Sequence, residues 1–267
     1  VFVCLEKITV DKRAYSELKL NLVSFIDKEV KEGNAEEIGL FFRDLEAGPT
    51  LGINDRLDFI PASLLKLVHV LTIFRFAEEE NLPNIFSQKL NYKNDPSVNM
   101  QEFPPQEIIK KDVSYTVNEL AERTLQYSDN LADELLLEYI KFLDPDNDLI
   151  SETYRDLGIL STYSLNSTSV SVKGYASIFR MLYNSSFLDK YNSEKLLGIL
   201  SKNSFKNGLR AGLPDGIVVA NKFGERALTS TNEKQLHDCG IVYYPTNPYL
   251  LCVMTKGKDF KNLEIIN

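Results

Sequence analysis

The strongest constraint on the fold lies in the last third of the chain. From Ile217 to Gly257 the apolar residues fall into three short runs, "IVVANKFGE", "KQLHDCGIVYYP" and "YLLCVMTKG". Short polar breaks separate them, the last at "PTNP". Runs of β-branched and aromatic residues bounded by Gly, Pro and Asn read as strands, and breaks this short suit an antiparallel meander. Two more strand-like runs, "IGLFFRDLEAG" and "TLGINDRLDFI", turn at "DLEAGPT" near the other end of the sequence. They follow a segment from Ser16 to Gly33 with apolar residues at helical spacing and a glycine stop. Between the two strand groups the spacing is again helical, in "TVNELAERTLQYSDNLADELLLEYIKFL", "SVKGYASIFRMLY" and "YNSEKLLGILSKN". One antiparallel sheet joining both groups, with the helical middle inserted as a lobe, is the most economical arrangement. The expected fold class is therefore α/β (α+β). Residues 1–58 and 208–267 form the α/β lobe, residues 59–207 form the helical lobe, and the cleft between them is the natural place for a site.

Composition narrows the function classes. The 267 residues are 43% hydrophobic and 25% charged, as in ordinary globular proteins. A formal net charge of −8 argues against nucleic acid as a partner, because phosphate contacts need clustered Lys and Arg. The most apolar helix is interrupted by Lys66, His69 and Arg75, so no transmembrane segment is expected. The opening "VFVCLEK" is too short for a signal peptide. Cys4, Cys239 and Cys252 show no metal-ligand or redox spacing and read as free thiols. With only His69 and His237, a histidine-rich metal site is nearly excluded and a Ser-His-Asp triad is hard to staff.

The chemistry is signalled in "FIPASLLKLVHVLTIFRF". Ser63 and Lys66 stand three residues apart on a helix that otherwise wants burial, so hydroxyl and amine share one face. Burial of Lys66 disfavours its charged form, and a neutral amine beside a serine is a way of activating it as a nucleophile. The pattern S-x-x-K alone decides nothing, because Ser16 and Lys19 repeat it on a charged helix that reads as solvated surface. Further on stand Ser128-Asp129-Asn130, the single S-D-N of the chain. Three lysine-x-glycine triplets follow the same reading, at Lys31, Lys206 and Lys222. Only Lys222-Phe223-Gly224 ends a strand-like run.

These motifs in this order resemble the class A β-lactamase and penicillin-binding protein superfamily across nearly the whole chain. The resemblance implies Ser63 as the acylated nucleophile, Lys66 as its proton acceptor and Ser128 as the proton relay to the leaving nitrogen, assisted by Lys222. Asn130 is implied to hydrogen-bond a substrate amide, and the N–H groups of Ser63 and Glu225 to form the oxyanion hole. Gly224 is expected to let substrate lie against the strand edge, and Asp129 to hold the loop. No cofactor or metal is implied. The implied substrate is a β-lactam or a D-Ala-D-Ala peptide, the expected state a monomer, and the expected location outside the cytoplasm (periplasmic, cell-surface or secreted).

Two departures from the family pattern shape the functional expectation. Phe223 stands where the family usually has a hydroxyl that helps hold a substrate carboxylate, leaving Lys222 to seek help from Arg226 or Arg210. Class A β-lactamases also carry a glutamate that activates the deacylating water, in an E-x-x-L-N pattern. Here Leu165-Asn166 is preceded at that spacing by Thr162, and no Asp or Glu occurs from Ile159 to Ser177. The expectation is a penicillin-binding, D-alanyl-D-alanine carboxypeptidase-like acyl-serine enzyme with slow deacylation. The alternatives are a β-lactamase with an atypical water-activating group, drawn from Glu152 or Asp156, a serine esterase or amidase using Tyr92-Lys93-Asn94, and a binding protein that keeps only the fold.

Overall fold

The computed structural model describes residues 12–46, 48–94, 101–162 and 169–267. The chain begins with α1 (Lys12–Lys31), β1 (Glu37–Asp44), β2 (Thr50–Ile53) and β3 (Asp58–Phe59). A 3-10 turn (Ala62–Leu64) leads into α2 (Leu65–Glu79), and a second (Pro83–Ser87) into β4 (Lys89–Asn91). Next come β5 (Ser114–Thr116), α3 (Val117–Gln126), α4 (Asn130–Leu143), α5 (Leu149–Leu157), β6 (Leu160–Thr162) and β7 (Ser169–Ser171). The chain closes with α6 (Val172–Tyr183), α7 (Lys190–Leu200), β8 (Val218–Leu228), β9 (Glu233–Tyr243), β10 (Tyr249–Gly257) and α8 (Phe260–Ile266).

As the sequence implies, both strand groups join in one five-stranded sheet, ordered β2-β1-β10-β9-β8, with antiparallel β1–β2, β1–β10, β9–β10 and β8–β9 pairs. Successive side chains point to opposite faces of a strand, and both faces here are covered. Ala220, Ile241, Leu250 and Met254 face the helical middle of the chain, where α6 packs on β1, β9 and β10. Ile38, Leu40, Val219, Phe223, Leu236 and Val253 belong to a second core that includes Ile26 of α1 and Phe260 and Leu263 of α8. Helix α2 is apolar on nearly all sides, with Leu67, Val68, Val70, Leu71, Ile73 and Phe74 buried, which is the signature of a helix at the centre of a core. It carries Lys66 in with it.

Two features of the fold differ from the sequence reading. Cys239 and Cys252 are direct partners in the β9–β10 register and form a disulfide, so they are not free thiols. Their separation looks large along the chain, but the turn after β9 folds one strand back on the other. Cys4 lies outside the described residues. The middle of the chain also contains two small sheets, β3-β7-β6 and β4-β5, and the helix α5. Strands of two or three residues are too short to show a period of two, so their pattern carries no signal.

Candidate active site

The turn bearing Ser63 is held from three directions. The N–H of Ile60 donates to Gln235 Oε1 at 3.0 Å, and His237 Nε2 meets the Ile60 carbonyl at 3.0 Å. The Tyr175 hydroxyl donates to the Leu64 carbonyl at 2.8 Å. On the third side Gly224 lies so close that a Cβ would stand 2.8 Å from the Pro61 carbonyl oxygen and 3.0 Å from Leu64. The missing side chain thus admits the serine turn against β8. Ala62, just before the serine, has φ 49°, and Ser128 has φ 57°. Left-handed backbone is uncommon for residues with a Cβ and clusters at functional sites.

The S-D-N loop is fixed by its aspartate. Asp129 caps α4 through bonds from the N–H groups of Leu131 (2.9 Å) and Ala132 (3.4 Å), and its other oxygen accepts from Ile109 N–H at 2.8 Å. Capping satisfies donors that a helix start leaves open, so the loop before it is set in place. This agrees with the structural role read for Asp129.

Lys66, Ser128, Asn130 and Lys222 come together. The Lys66 amine donates to the Ser128 carbonyl (2.5 Å), to Asn130 Oδ1 (2.6 Å) and to the Ser128 hydroxyl at 3.3 Å. The Lys222 amine donates to the same hydroxyl at 2.9 Å and to the Phe223 carbonyl at 2.7 Å. One hydroxyl thus bridges two buried amines. The half-buried Ser63 hydroxyl has no hydrogen bond to a described residue, so its pairing with Lys66, expected from the spacing, is not formed in this arrangement.

Burial shifts both amines toward their neutral forms. Burial lowers Lys66 to about 8, against the opposing pull of Asp133, Asp129 and Glu225. Burial, and then the neighbouring Lys66, drive Lys222 well below its ordinary value. Asp133 is a participant that the sequence reading missed. Burial pushes its carboxyl up, but His69 at 2.9 Å, Lys66 and Lys222 together hold it below the usual range. It stands one turn beyond Asn130, as His69 stands one turn beyond Lys66, so helical spacing from the two motifs points to both.

The β8 side of the site departs most from the family pattern. The Phe223 ring joins the second core, stacked on Phe205 at 4.1 Å between ring centroids, and the Lys222 amine lies 4.5 Å from its centroid. Arg210, one of the two arginines considered for a substrate carboxylate, instead donates to the Ser201 and Val219 carbonyls, and Arg226 is exposed. Glu225 turns its carboxylate toward the segment 101–103, accepting from the N–H groups of Glu102 and Phe103. Glu152 is exposed on α5, and Asp156 is ion-paired with Arg75 on the protein surface. The segment 163–168, which holds Leu165 and Asn166, lies outside the described residues. The Tyr92 hydroxyl is taken by Glu134 at 3.3 Å, and Lys93 pairs with Asp112, so these residues do not assemble with Ser63. Ser16 and Lys19 are exposed on α1, as the sequence suggests.

Residues 21–267 match the beta-lactamase enzyme family. A beta-lactamase of Bacillus licheniformis is 26% identical over 242 residues, which is 85% of this chain and 74% of that protein. Among solved structures, the acyl-enzyme complex of a PBP-A variant with penicillin G aligns with a TM-score of 0.76 at 20% identity, covering 94% of this chain and 92% of that one. A class A beta-lactamase from Mycobacterium abscessus gives 0.71 at 23% identity, over 88% and 90%. At these identities the structural likeness concerns the fold.

Proposed function

Because the chain belongs to the beta-lactamase enzyme family and is thereby a serine hydrolase working through an acyl-enzyme, we propose that it is a penicillin-binding, D-alanyl-D-alanine carboxypeptidase-like member whose acyl-enzyme is released slowly. In acylation, the Ser63 oxygen attacks the carbonyl carbon while its proton passes to neutral Lys66. The carbonyl–nitrogen bond then breaks, and the Ser128 hydroxyl delivers a proton to the leaving nitrogen as Lys66 and Lys222 restore it. Asn130 orients the acyl amide, and the backbone N–H groups of Ser63 and Glu225 receive the developing oxyanion. The lobes at 1–58 with 208–267 and at 59–207 supply the two walls. We place the enzyme outside the cytoplasm, acting as a monomer. No described helix is long and apolar enough to cross a membrane.

The observation that carries the slow second step is the sequence from Ile159 to Ser177, which has no carboxylate to activate water. Four acidic residues lie near the site amines, and each is engaged: Asp129 by the α4 cap, Asp133 by His69, Glu225 by segment 101–103, and Asp238 by Asn221 and the Leu209 N–H. A chromogenic cephalosporin tests the reading. The expected result is a burst of about one equivalent followed by little turnover, lost in Ser63→Ala. A second reading, a true β-lactamase, is favoured by the names of the relatives. Rapid, sustained hydrolysis that depends on Ser63 would select it.

A further inference from the structure

Two side-chain bonds join α2 to α4 at the site, one turn apart. In the first, the Lys66 amine donates to Asn130 Oδ1 at 2.6 Å. In the second, His69 Nδ1 meets Asp133 Oδ1 at 2.9 Å. A spacing of three residues on each helix sets the second bond one turn beneath the first. A carboxylate only accepts hydrogen bonds, so the His69 nitrogen is the donor. Both side chains of the lower pair are only 12% exposed. Two neutral hydrogen-bonding groups would tie the helices as well, and a carboxylate this buried is costly to keep. The charge at position 133 therefore calls for a role. Three carboxylates act on Lys66: those of Asp133, Asp129 and Glu225. Asp129 accepts three backbone N–H groups, and Glu225 accepts two. Among the described residues, no backbone N–H donates to Asp133.

We propose that Asp133, held by His69, is the positioning residue of the base: the pair ties α2 to α4 beneath the Lys66–Asn130 bond, and its carboxylate keeps the Lys66 ammonium at the S-D-N loop until a proton leaves. The inference rests on the acyl-serine reading above. In this arrangement the Lys66 amine meets three oxygens, the Ser128 carbonyl, Asn130 Oδ1 and the Ser128 hydroxyl. Three acceptors suit the three N–H donors of an ammonium, and Ser63 is left outside the set. Loss of the proton removes a donor and frees a lone pair, so the amine can turn to the Ser63 hydroxyl and accept from it. Asp133 opposes that loss, because an opposite charge nearby favours the charged form. The charged groups facing Lys66 are Asp133 of α4, Asp129 at its cap, and Glu225 and Lys222 of β8. Those facing Asp133 are His69 and Lys66 of α2 and Lys222 of β8. Of the three carboxylates, Asp133 is the first to oppose the effect of burial on Lys66. Its place on α4 draws the amine toward the loop side of the cleft.

The test measures the rate at which benzylpenicillin acylates Ser63, by intact mass, from pH 5 to pH 9. The wild-type rate should rise with a midpoint near 8. Asp133→Asn keeps size and a hydrogen bond to His69 but loses the charge. Its midpoint should fall by about one pH unit. Its rate at pH 6 should then exceed that of the wild type by about three- to tenfold. The plateau rate should drop slightly, because a less basic amine is a weaker proton acceptor. His69→Leu removes the tie and leaves the charge, so acylation should slow at every pH with a midpoint unchanged or higher. A pair with a merely structural role would move the two variants alike. If Asp133→Asn does not fold, the His69→Leu midpoint decides alone. If Asp133→Asn leaves the midpoint in place or raises it, or His69→Leu lowers it, the proposal is wrong and the acyl-serine reading stands. If Ser63 is not acylated at any pH in the wild type or either variant, the acyl-serine reading itself falls.

Discussion

On the wall formed by α2 and the S-D-N loop, Lys66, Ser128, Asp129 and Asn130 are held by their neighbours. Lys66 reaches both Ser128 and Asn130, Asp129 caps the following helix, and His69 with Asp133 backs the pair one turn deeper. On the facing wall, β8 supplies Lys222 to the same serine but surrounds it differently. Phe223 sets an aromatic ring beside the Lys222 amine and into the second core, Gly224 makes room for the serine turn, and Glu225 grips a segment of the chain itself. The first wall carries the machinery for breaking a bond. The second carries one of the two departures from the family pattern, Phe223 in place of a hydroxyl.

The comparison is broken most severely by removing the base. Lys66→Ala should slow acylation by about 10²–10⁴-fold with the fold intact, since general-base assistance is worth that much. In the wild type, the neutral fraction of Lys66 grows as pH rises through about 8, so the acylation rate should climb to a plateau above that pH. A rate that is flat from pH 6 to 9 would remove Lys66 from the role.

The β8 wall is probed by Phe223→Ser, which restores a hydroxyl at the cost of the ring stacked on Phe205. Losing a buried phenyl group should cost about 3–5 kcal/mol in denaturant unfolding. A loss below about 1 kcal/mol would mean that the aromatic cluster does not hold this strand. Below that in size stands His237, behind the serine turn. Burial lowers it to about 4 from 6.5, so it stays neutral when folded while the unfolded chain takes up a proton. Its contribution is complete above pH 6.5 and is lost as pH falls toward 4. Relative to wild type, His237→Gln should therefore gain roughly 2 kcal/mol on going from pH 7 to pH 5. Asp238, raised to about 6 by burial, titrates in the same range with the opposite slope, so the difference between the two proteins is the quantity to measure. The smallest effect belongs to Ala62→Gly, which relaxes the left-handed backbone beside Ser63 and should change stability by less than about 1 kcal/mol.

Much of the fold was legible because its signals are local. Three strand runs with short turns, two more near the start and long helical periods between them determine the sheet and the central helix. The choice of Lys222 over Lys31 and Lys206 likewise followed from a strand preceding it, and the structure brings Lys222 to Ser128. What the sequence did not reveal depends on register and on distant loops. Cys239 meets Cys252 only because of how β9 pairs with β10. Glu102 reaches Glu225 across 123 residues, and no periodicity encodes such a contact. The helical face that Lys66 shares with Ser63 was visible, but the stronger claim of the Ser128 carbonyl and Asn130 on its amine was not.

The central claim is that this chain forms an acyl-enzyme readily and releases it slowly. Intact mass spectrometry with benzylpenicillin, followed from minutes to hours, tests it most directly. The account predicts a gain of one penicillin that persists and is absent in Ser63→Ala. A mass gain that decays within minutes while penicilloate accumulates would contradict it and identify an efficient β-lactamase.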